Sequence, residues 1–270
     1  MLCYAGMPSP EDRPKTLVAD VFIACHKAVR SGLLIHRATR ADKEFHFQNW
    51  FGERLKEIGV HYDQPARNTY PDFRLVEIAE GYEVKALAYP GREANYDCNS
   101  QAPSGYHNGR SIYYLFGRYP KDADADDYPV IDLVVCHGDF LNADHDYVHA
   151  NKNVKGFGSY GDIMIRDRKM YVAPTPFALA DGTTGQITLI LPRGMRPDPR
   201  LQAVGELARV EADRLIVGYT FDLRKNLLVP RYAANPGAGE AHHFAAYRTR
   251  GAKGPAVVMK PVATATEATE

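Results

Sequence analysis

The hydrophobic period of this chain changes near Tyr70, and that change limits what it can fold into. Residues 15–31 place Leu17, Val18, Val21, Phe22, Cys25 and Val29 at helical spacing and stop at Ser31-Gly32. Residues 42–58 repeat the pattern with Phe47, Trp50, Phe51, Leu55 and Ile58, and Gly59 follows where a C-cap glycine belongs. From Tyr70 the spacing is that of extended chain: Phe73, Leu75, Val76 and Ile78, a turn at Glu80-Gly81, then Tyr82 to Leu87, which predicts a β-hairpin. Strands are expected again at 111–119, 130–137 and 186–191, with a hairpin over 161–172 that turns at 166–169. A Pro/Arg-rich connector at 192–199 precedes an expected helix at 201–215 and extended chain at 216–229. Helices and strands in this order predict an α/β fold with a central mixed β-sheet flanked by helices. One domain over 1–260, with a ragged N-terminal arm, and a low-complexity disordered tail over 261–270 complete the expected layout.

Charge and composition narrow the class. The 270 residues carry 33 Lys+Arg against 33 Asp+Glu, a balance that excludes a histone-like protein or a polybasic membrane-surface module. The longest apolar runs, such as 131–136, fall well short of the roughly 20 residues a membrane-spanning helix needs. Residues 1–15 mix Pro8, Pro10, Glu11, Asp12 and Arg13 and do not read as a signal peptide. Cys3, Cys25, Cys98 and Cys136 are far apart and form no CxxC pair, so neither a zinc ribbon nor a disulfide scaffold is indicated and the cytoplasm is the expected compartment.

The residues that carry chemistry span the first hairpin: Pro71-Asp72, ten residues, then Glu83-Val84-Lys85. Alternation along a strand puts Glu83 and Lys85 on one face and Val84 on the other, while Asp72 opens the partner strand. Two carboxylates and an ammonium at one end of a sheet suit metal-assisted phosphodiester hydrolysis: oxygen ligands for a hard Mg²⁺, and a cation near the attacking water or the phosphate.

Pro-Asp followed by Glu-x-Lys on a hairpin, after a helix with acidic residues, resembles the PD-(D/E)xK nuclease superfamily, and the length and layout resemble its type II restriction endonucleases. The resemblance spans residues 42–140 in pattern and four residues in motif. It implies a restriction-endonuclease-like fold, double-stranded DNA as substrate, Mg²⁺ as cofactor and a homodimer. Asp72, Glu83 and the carbonyl of Val84 would be metal ligands, and Lys85 would orient or help deprotonate the water. A helix carboxylate often joins the set; Glu53 is the first choice, Glu57 the second, and Gln48 a neutral substitute.

Two segments extend the expected DNA contacts. The polar loop around 92–109 holds Arg92, Asn95, Asn99, Gln101, His107 and Asn108, followed by Arg110, and Asn, Gln and Arg are the side chains that read base edges bidentately. Residues 151–160 offer Lys152 and Lys155 with exposed glycine amides suited to phosphate. A rival cluster, His137, Asp139, Asn142, Asp144, His145 and His149, has the residue types of a two-metal phosphoesterase but lacks that chemistry's accompanying motifs. The run Asp122, Asp124, Asp126 and Asp127 lacks the Gly and Glu of a calcium loop and reads as solvated charge. Arg193, Arg196, Arg200, His242, His243, Arg248, Arg250 and Lys253 form an expected basic patch, and Trp50, Tyr113 and Tyr114 read as packing residues. Two further readings stay open: a repair or structure-selective nuclease of the same fold, and a non-catalytic DNA-binding protein in which Glu83 and Lys85 are an exposed pair.

Overall fold

The structure is a computed structural model that describes residues 16–37, 43–64, 70–99, 102–121, 126–143, 159–160, 164–167, 170–196, 198–222, 224–225 and 227–261. In chain order the elements begin with α1 (Val18–Arg30), β1 (Ile35–His36), α2 (Lys43–Glu57), β2 (Tyr62–Asp63), β3 (Phe73–Leu75), β4 (Glu80–Tyr89), β5 (Asn95–Asn99), β6 (Tyr106–His107) and β7 (Arg110–Pro120). They continue with β8 (Asp127–Tyr128), β9 (Asp132–His137), a 3-10 turn at Gly138–Phe140, β10 (Met164–Asp167), β11 (Met170–Pro174), α3 (Pro176–Leu179) and β12 (Ala180–Asp181). The last are β13 (Ile187–Pro192), β14 (Leu201–Val210), β15 (Arg214–Asp222), β16 (Leu227–Ala234), β17 (Ala241–Thr249) and β18 (Val258–Met259).

The frame is a mixed nine-stranded sheet in the order β14-β17-β13-β9-β7-β4-β3-β2, with β6 added beside β7. β4 and β7 are parallel in the register Glu80↔Ser111 to Tyr89↔Pro120, and β9 and β13 are parallel, while the other pairs in the frame are antiparallel. Tracing these directions puts the start of β4, the end of β9, the end of β14 and the start of β17 at one end of the sheet.

Alternation along the strands feeds two cores. Tyr82 and Val84 of β4, Tyr113 and Leu115 of β7, and Leu133 and Val135 of β9 pack on the face covered by α1 and α2 through Val18, Phe22, Phe47, Phe51 and Leu55. Leu87, Tyr114, Phe116, Val134 and Cys136 pack on the opposite face with Tyr96 of β5 and Phe177 of α3. That face is roofed by a small antiparallel sheet, β10-β11-β5, rather than by long helices. The protein is therefore a β-rich mixed fold with three helices among the described residues, the two long ones on one face and the four-residue α3 on the other. The expected flanking by helices on a central mixed sheet holds for the sheet and for one face.

The helix expected at 201–215 is instead strand β14 and the start of β15. Its Gln, Ala, Glu, Leu and Arg residues favour helix locally, but the ladder against β17 and the burial of Leu201, Leu207 and Arg209 override that preference. Gly205 fits the strand because a Cβ there would stand 2.0 Å from the Val257 carbonyl oxygen. The expected loop over 92–109 contains β5 and β6, and its Asn108-Gly109 pair, both at positive φ (48° and 79°), makes the two-residue turn between β6 and β7. The hairpin over 161–172 is present as β10 and β11, and the expected extended run 216–229 holds the rest of β15, to Asp222, and the start of β16, from Leu227, with a turn at 224–225 among the described residues. The tail 262–270, residues 1–15 and Asp122 and Asp124 lie outside the described residues.

α1 shows how one buried carboxylate ties helix to sheet. Its N-cap residue, Leu17, supplies no side-chain cap. Glu80, at the first position of β4, accepts from the Leu17 amide at 3.0 Å, the Thr16 hydroxyl at 2.5 Å and the Tyr82 hydroxyl at 3.0 Å. A carboxylate at a helix N-terminus satisfies an orphan amide and complements the helix dipole. Burial nonetheless raises the Glu80 pKa above its ordinary value, against the lowering effect of these hydrogen bonds.

Candidate catalytic centre

β3 pairs with β4 only through Phe73↔Tyr82 and Arg74↔Gly81, so the next cross-strand position, Asp72 opposite Glu83, lies where the ladder ends. The two residues replace the ladder with side-chain bonds. The Val84 amide donates to Asp72 Oδ2 at 2.8 Å, and the Asp72 amide donates to Glu83 Oε2 at 3.3 Å. Lys85 Nζ stands 2.8 Å from Glu83 Oε1. Glu83 and Lys85 share a face and Val84 points into the helix-side core, as strand alternation requires.

The burial of this pair is informative. The Lys85 and Glu83 side chains are only 11% and 13% exposed, so they are not the solvated surface pair of the non-catalytic reading. A pair taken this far out of water gives back much of its Coulomb attraction as desolvation, and is weak grounds for stability. Around it, Tyr70 and Tyr114 join hydroxyls at 2.9 Å, and Tyr70 also donates to the Ser104 carbonyl at 3.4 Å. Burial first, and the nearby Glu83 charge second, raise the Tyr70 hydroxyl far above the usual phenol range. Burial pushes the Cys98 thiol up to about 12, with the charges of Lys85 and Glu83 acting in opposite senses. Neither the Tyr70 hydroxyl nor the Cys98 thiol ionises near neutral pH.

The donor set suits a hard divalent cation. Asp72 and Glu83 each have two oxygens with lone pairs beyond the bonds above. Within a strand the N–H and C=O of one residue leave on the same side, so the Val84 carbonyl faces the edge that β3 leaves open. Two carboxylates and a carbonyl at an open strand edge are oxygen ligands of the kind Mg²⁺ prefers.

The helix contributors fall elsewhere. α2 packs on the other face of the sheet, with Phe51 5.4 Å from Tyr82 ring to ring. Glu53 is exposed and pairs with Lys56 at 2.8 Å, Glu57 pairs with Arg54 at 2.6 Å, and Gln48 is half-buried on the same helix. None of the three is brought to Asp72, Glu83 and Lys85, because the strand alternation that directs Val84 to α2 directs Glu83 away from it.

The expected DNA contacts divide in the same way. His107 stacks edge-on to Tyr70 at 4.9 Å, and Asn108 lies 2.9 Å from His107 Nε2, so these two border the centre. Arg110 turns inward and donates to the carbonyls of Leu75 at 2.7 Å and Ile78 at 3.2 Å. Arg92 is exposed and pairs with Asp97 at 3.1 Å, and Asn95 and Asn99 sit in β5 opposite Pro174 and Tyr171. Gln101, Lys152 and Lys155 lie outside the described residues. The basic patch does not form as expected: Arg248 is 1% exposed and donates to the Gly182 carbonyl, Arg250 binds the Pro199 carbonyl, and Arg200 pairs with Asp20 and Asp198.

In the rival cluster, His137 Nδ1 lies 3.3 Å from Asp139, and Asn142 is buried with its amide on the Pro103 carbonyl. Asp144, His145 and His149 lie outside the described residues. Among the described residues one group of three metal-ligating side chains converges, Glu211, Glu240 and His242, with ligand atoms within 4.8 Å of one another. Asp127, from the acidic run, pairs with His36 at 2.5 Å.

Sequence reasoning missed Tyr70, Tyr114 and Cys98 as neighbours of the pair. Tyr70 directly precedes Pro71-Asp72 and was within reach of the motif. Tyr114 and Cys98 arrive through the parallel register Glu83↔Tyr114 and the docking of β5, which no local pattern encodes.

Comparison of the chain with protein-family models, curated proteins and solved structures finds no match in any of the three. No helix among the described residues is long and apolar enough to cross a membrane.

Proposed function

We propose that this chain is a Mg²⁺-dependent double-strand DNA endonuclease of restriction-endonuclease-like fold, cutting at specific sites as a homodimer. The observation that carries the reading is the largely buried Glu83–Lys85 pair set against Asp72 at the strand edge that β3 leaves open. A purely structural hairpin gains little from removing such a pair from water, whereas a phosphoryl-transfer centre needs these groups held in fixed relation.

Asp72, Glu83 and the Val84 carbonyl would hold the cation. When bound, the ion supplies Lewis-acid charge stabilisation and lowers the pKa of water. Lys85 presents an ammonium that donates to the attacking water or to a phosphate oxygen, and Glu83 fixes where that ammonium sits. The Val84 amide orients Asp72 in turn. Water attacks phosphorus as the bond to the leaving sugar oxygen breaks, and the negative charge gathering on the phosphate oxygens falls where Lys85 can meet it. Two-fold symmetry of a dimer would match a palindromic site and bring one centre to each strand.

Digestion of plasmid DNA with Mg²⁺ tests the reading. Discrete fragments are expected, lost with chelator and lost in Glu83→Ala. A smear would replace site specificity with a repair or structure-selective nuclease, and undiminished cutting by Glu83→Ala would remove this centre from the reaction.

A further inference from the structure

β15 and β16 form a two-stranded ribbon that pairs with no other strand among the described residues. Its register runs from Arg214↔Ala234 to Asp222↔Leu227, and nine residues of β15 extend about 30 Å at strand rise. A free-standing ribbon is marginal in water, so it needs an anchor. Leu215 is buried and Ile216 packs on the second core. The Asn235 side chain, just beyond β16, donates to Glu211 Oε2 at 2.9 Å and to the Ala212 carbonyl at 2.8 Å, and its backbone N–H donates to the Asp213 carbonyl at 3.0 Å. His242 Nε2 lies 2.7 Å from Glu211 Oε1. The Glu211, Asn235 and His242 cluster thus clamps the root of the ribbon.

The ribbon's charge departs from that of the chain. Over 214–234 it carries Arg214, Arg224, Lys225 and Arg231 against Asp222 alone, while the whole chain balances 33 cations with 33 acids. Arg214, Arg224, Lys225 and Arg231 are exposed, Tyr232 is 50% exposed, and the Arg214 guanidinium lies over the Tyr232 ring at 4.8 Å. The end of β14 and the start of β4 lie at the same end of the main sheet, five strand positions apart, or about 24 Å at strand spacing. The ribbon therefore springs from the sheet end that holds Asp72 and Glu83.

We infer that the β15–β16 ribbon is a DNA-binding arm whose cations engage the phosphates of duplex DNA lying along this end of the sheet. The inference rests on the reading of the chain as a DNA enzyme. A two-stranded ribbon is among the elements a B-DNA major groove admits, and exposed arginines and lysines that neutralise phosphates release counterions on binding. The arm supplies the local positive charge that the balanced composition withholds from the rest of the molecule, and that the acidic centre needs nearby if a phosphate backbone is to approach.

The test uses the full chain, a labelled 30-base-pair duplex without divalent cation, and the variant Arg224→Gln/Lys225→Gln/Arg231→Gln. The slope of log affinity against log salt should fall by about 2.7, and affinity near 0.1 M salt should drop on the order of 100-fold, for three lost phosphate contacts. Conservative Arg224→Lys/Arg231→Lys should keep the wild-type slope. Should the triple variant melt early, Arg231→Gln alone and the Arg224→Gln/Lys225→Gln pair should lower the slope by about 0.9 and 1.8. Unchanged duplex affinity and slope in folded variants overturn the arm, leaving its charges as protection of exposed strand edges. Stronger ribbon-dependent binding to single-stranded RNA or to anionic vesicles than to the duplex also overturns it. Wild-type cutting with an unaffected variant rejects the arm and keeps the nuclease. Ribbon-dependent duplex binding by a wild-type chain that never cuts keeps the arm and rejects the nuclease.

Discussion

Replacing Lys85 by Met tests the candidate centre in the absence of any substrate. Met keeps most of the side-chain volume and removes the ammonium 2.8 Å from Glu83 Oε1, in a site where the two side chains are 11% and 13% exposed. Removing one partner of a buried pair typically costs 3–5 kcal/mol, and residual solvent access argues for the lower end, about 3 kcal/mol. For a chain of this size that is a fall in Tm of about 6–12 °C. Glu83→Gln in the same protein removes the stranded charge, so the double variant should regain about 2 kcal/mol, a coupling that denaturant titration of the four-member cycle measures. Mg²⁺ should raise the Tm of Lys85→Met, since a cation held by Asp72 and Glu83 replaces the lost charge and stabilises by about 2.7 kcal/mol at 100 times its Kd. DNA cleavage by Lys85→Met should fall by about 100-fold or more, the usual cost of losing one donor to a developing negative charge. A stability loss below about 1 kcal/mol with no coupling to Glu83→Gln would place the pair in the exposed class and refute the reasoning.

Three further outcomes follow from the same structure. Burial raises the Glu80 pKa above 4.5, so the stability it contributes is full below that value and declines as pH rises through the raised folded-state value; Glu80→Gln, which can keep the Thr16, Leu17 and Tyr82 contacts, should gain Tm relative to wild type from pH 4 to pH 8, and a constant offset would contradict this. Asp132 pairs with Arg118 at 0% and 2% side-chain exposure, with the guanidinium stacked between Tyr89 at 4.1 Å and Phe177 at 4.6 Å; Asp132→Asn should cost about 3–5 kcal/mol by urea unfolding, and Arg118→Met/Asp132→Leu much less. A Cβ at Gly138 would stand 2.0 Å from the Ser104 carbonyl oxygen, the same oxygen that receives the Tyr70 hydroxyl; Gly138→Ala should cost about 1–3 kcal/mol or more and make residues 102–105 newly sensitive to limited proteolysis.

Local pattern determined a large part of this protein. Helical spacing placed α1 and α2 to within a few residues, because each buries one face and the face is written in every third and fourth residue, and apolar runs of strand length placed β4, β7, β9 and β13, which are buried on both faces. Strand alternation put Glu83 and Lys85 together on one face. Where local preference and tertiary pairing disagreed, pairing won: 201–210 is rich in helix formers and became the edge strand beside β17. Arg248 and Arg110 read as surface cations and are spent on backbone carbonyls, since a charge count along a chain carries no information about direction.

Tertiary structure alone decided which groups share the centre and which do not. The start of β3 at Phe73 leaves open the strand edge where Asp72 meets Val84, and the parallel register of β4 with β7 brings in Tyr114. Packing of α2 on the Val84 face keeps Glu53 away from Glu83. The overall charge balance of 33 against 33 is a property of composition, but its division into an acidic strand edge and a basic ribbon on one sheet end follows from strand directions that sequence spacing does not specify. Spacing sets faces through short-range geometry, while register and strand order are set by contacts between residues far apart in the chain.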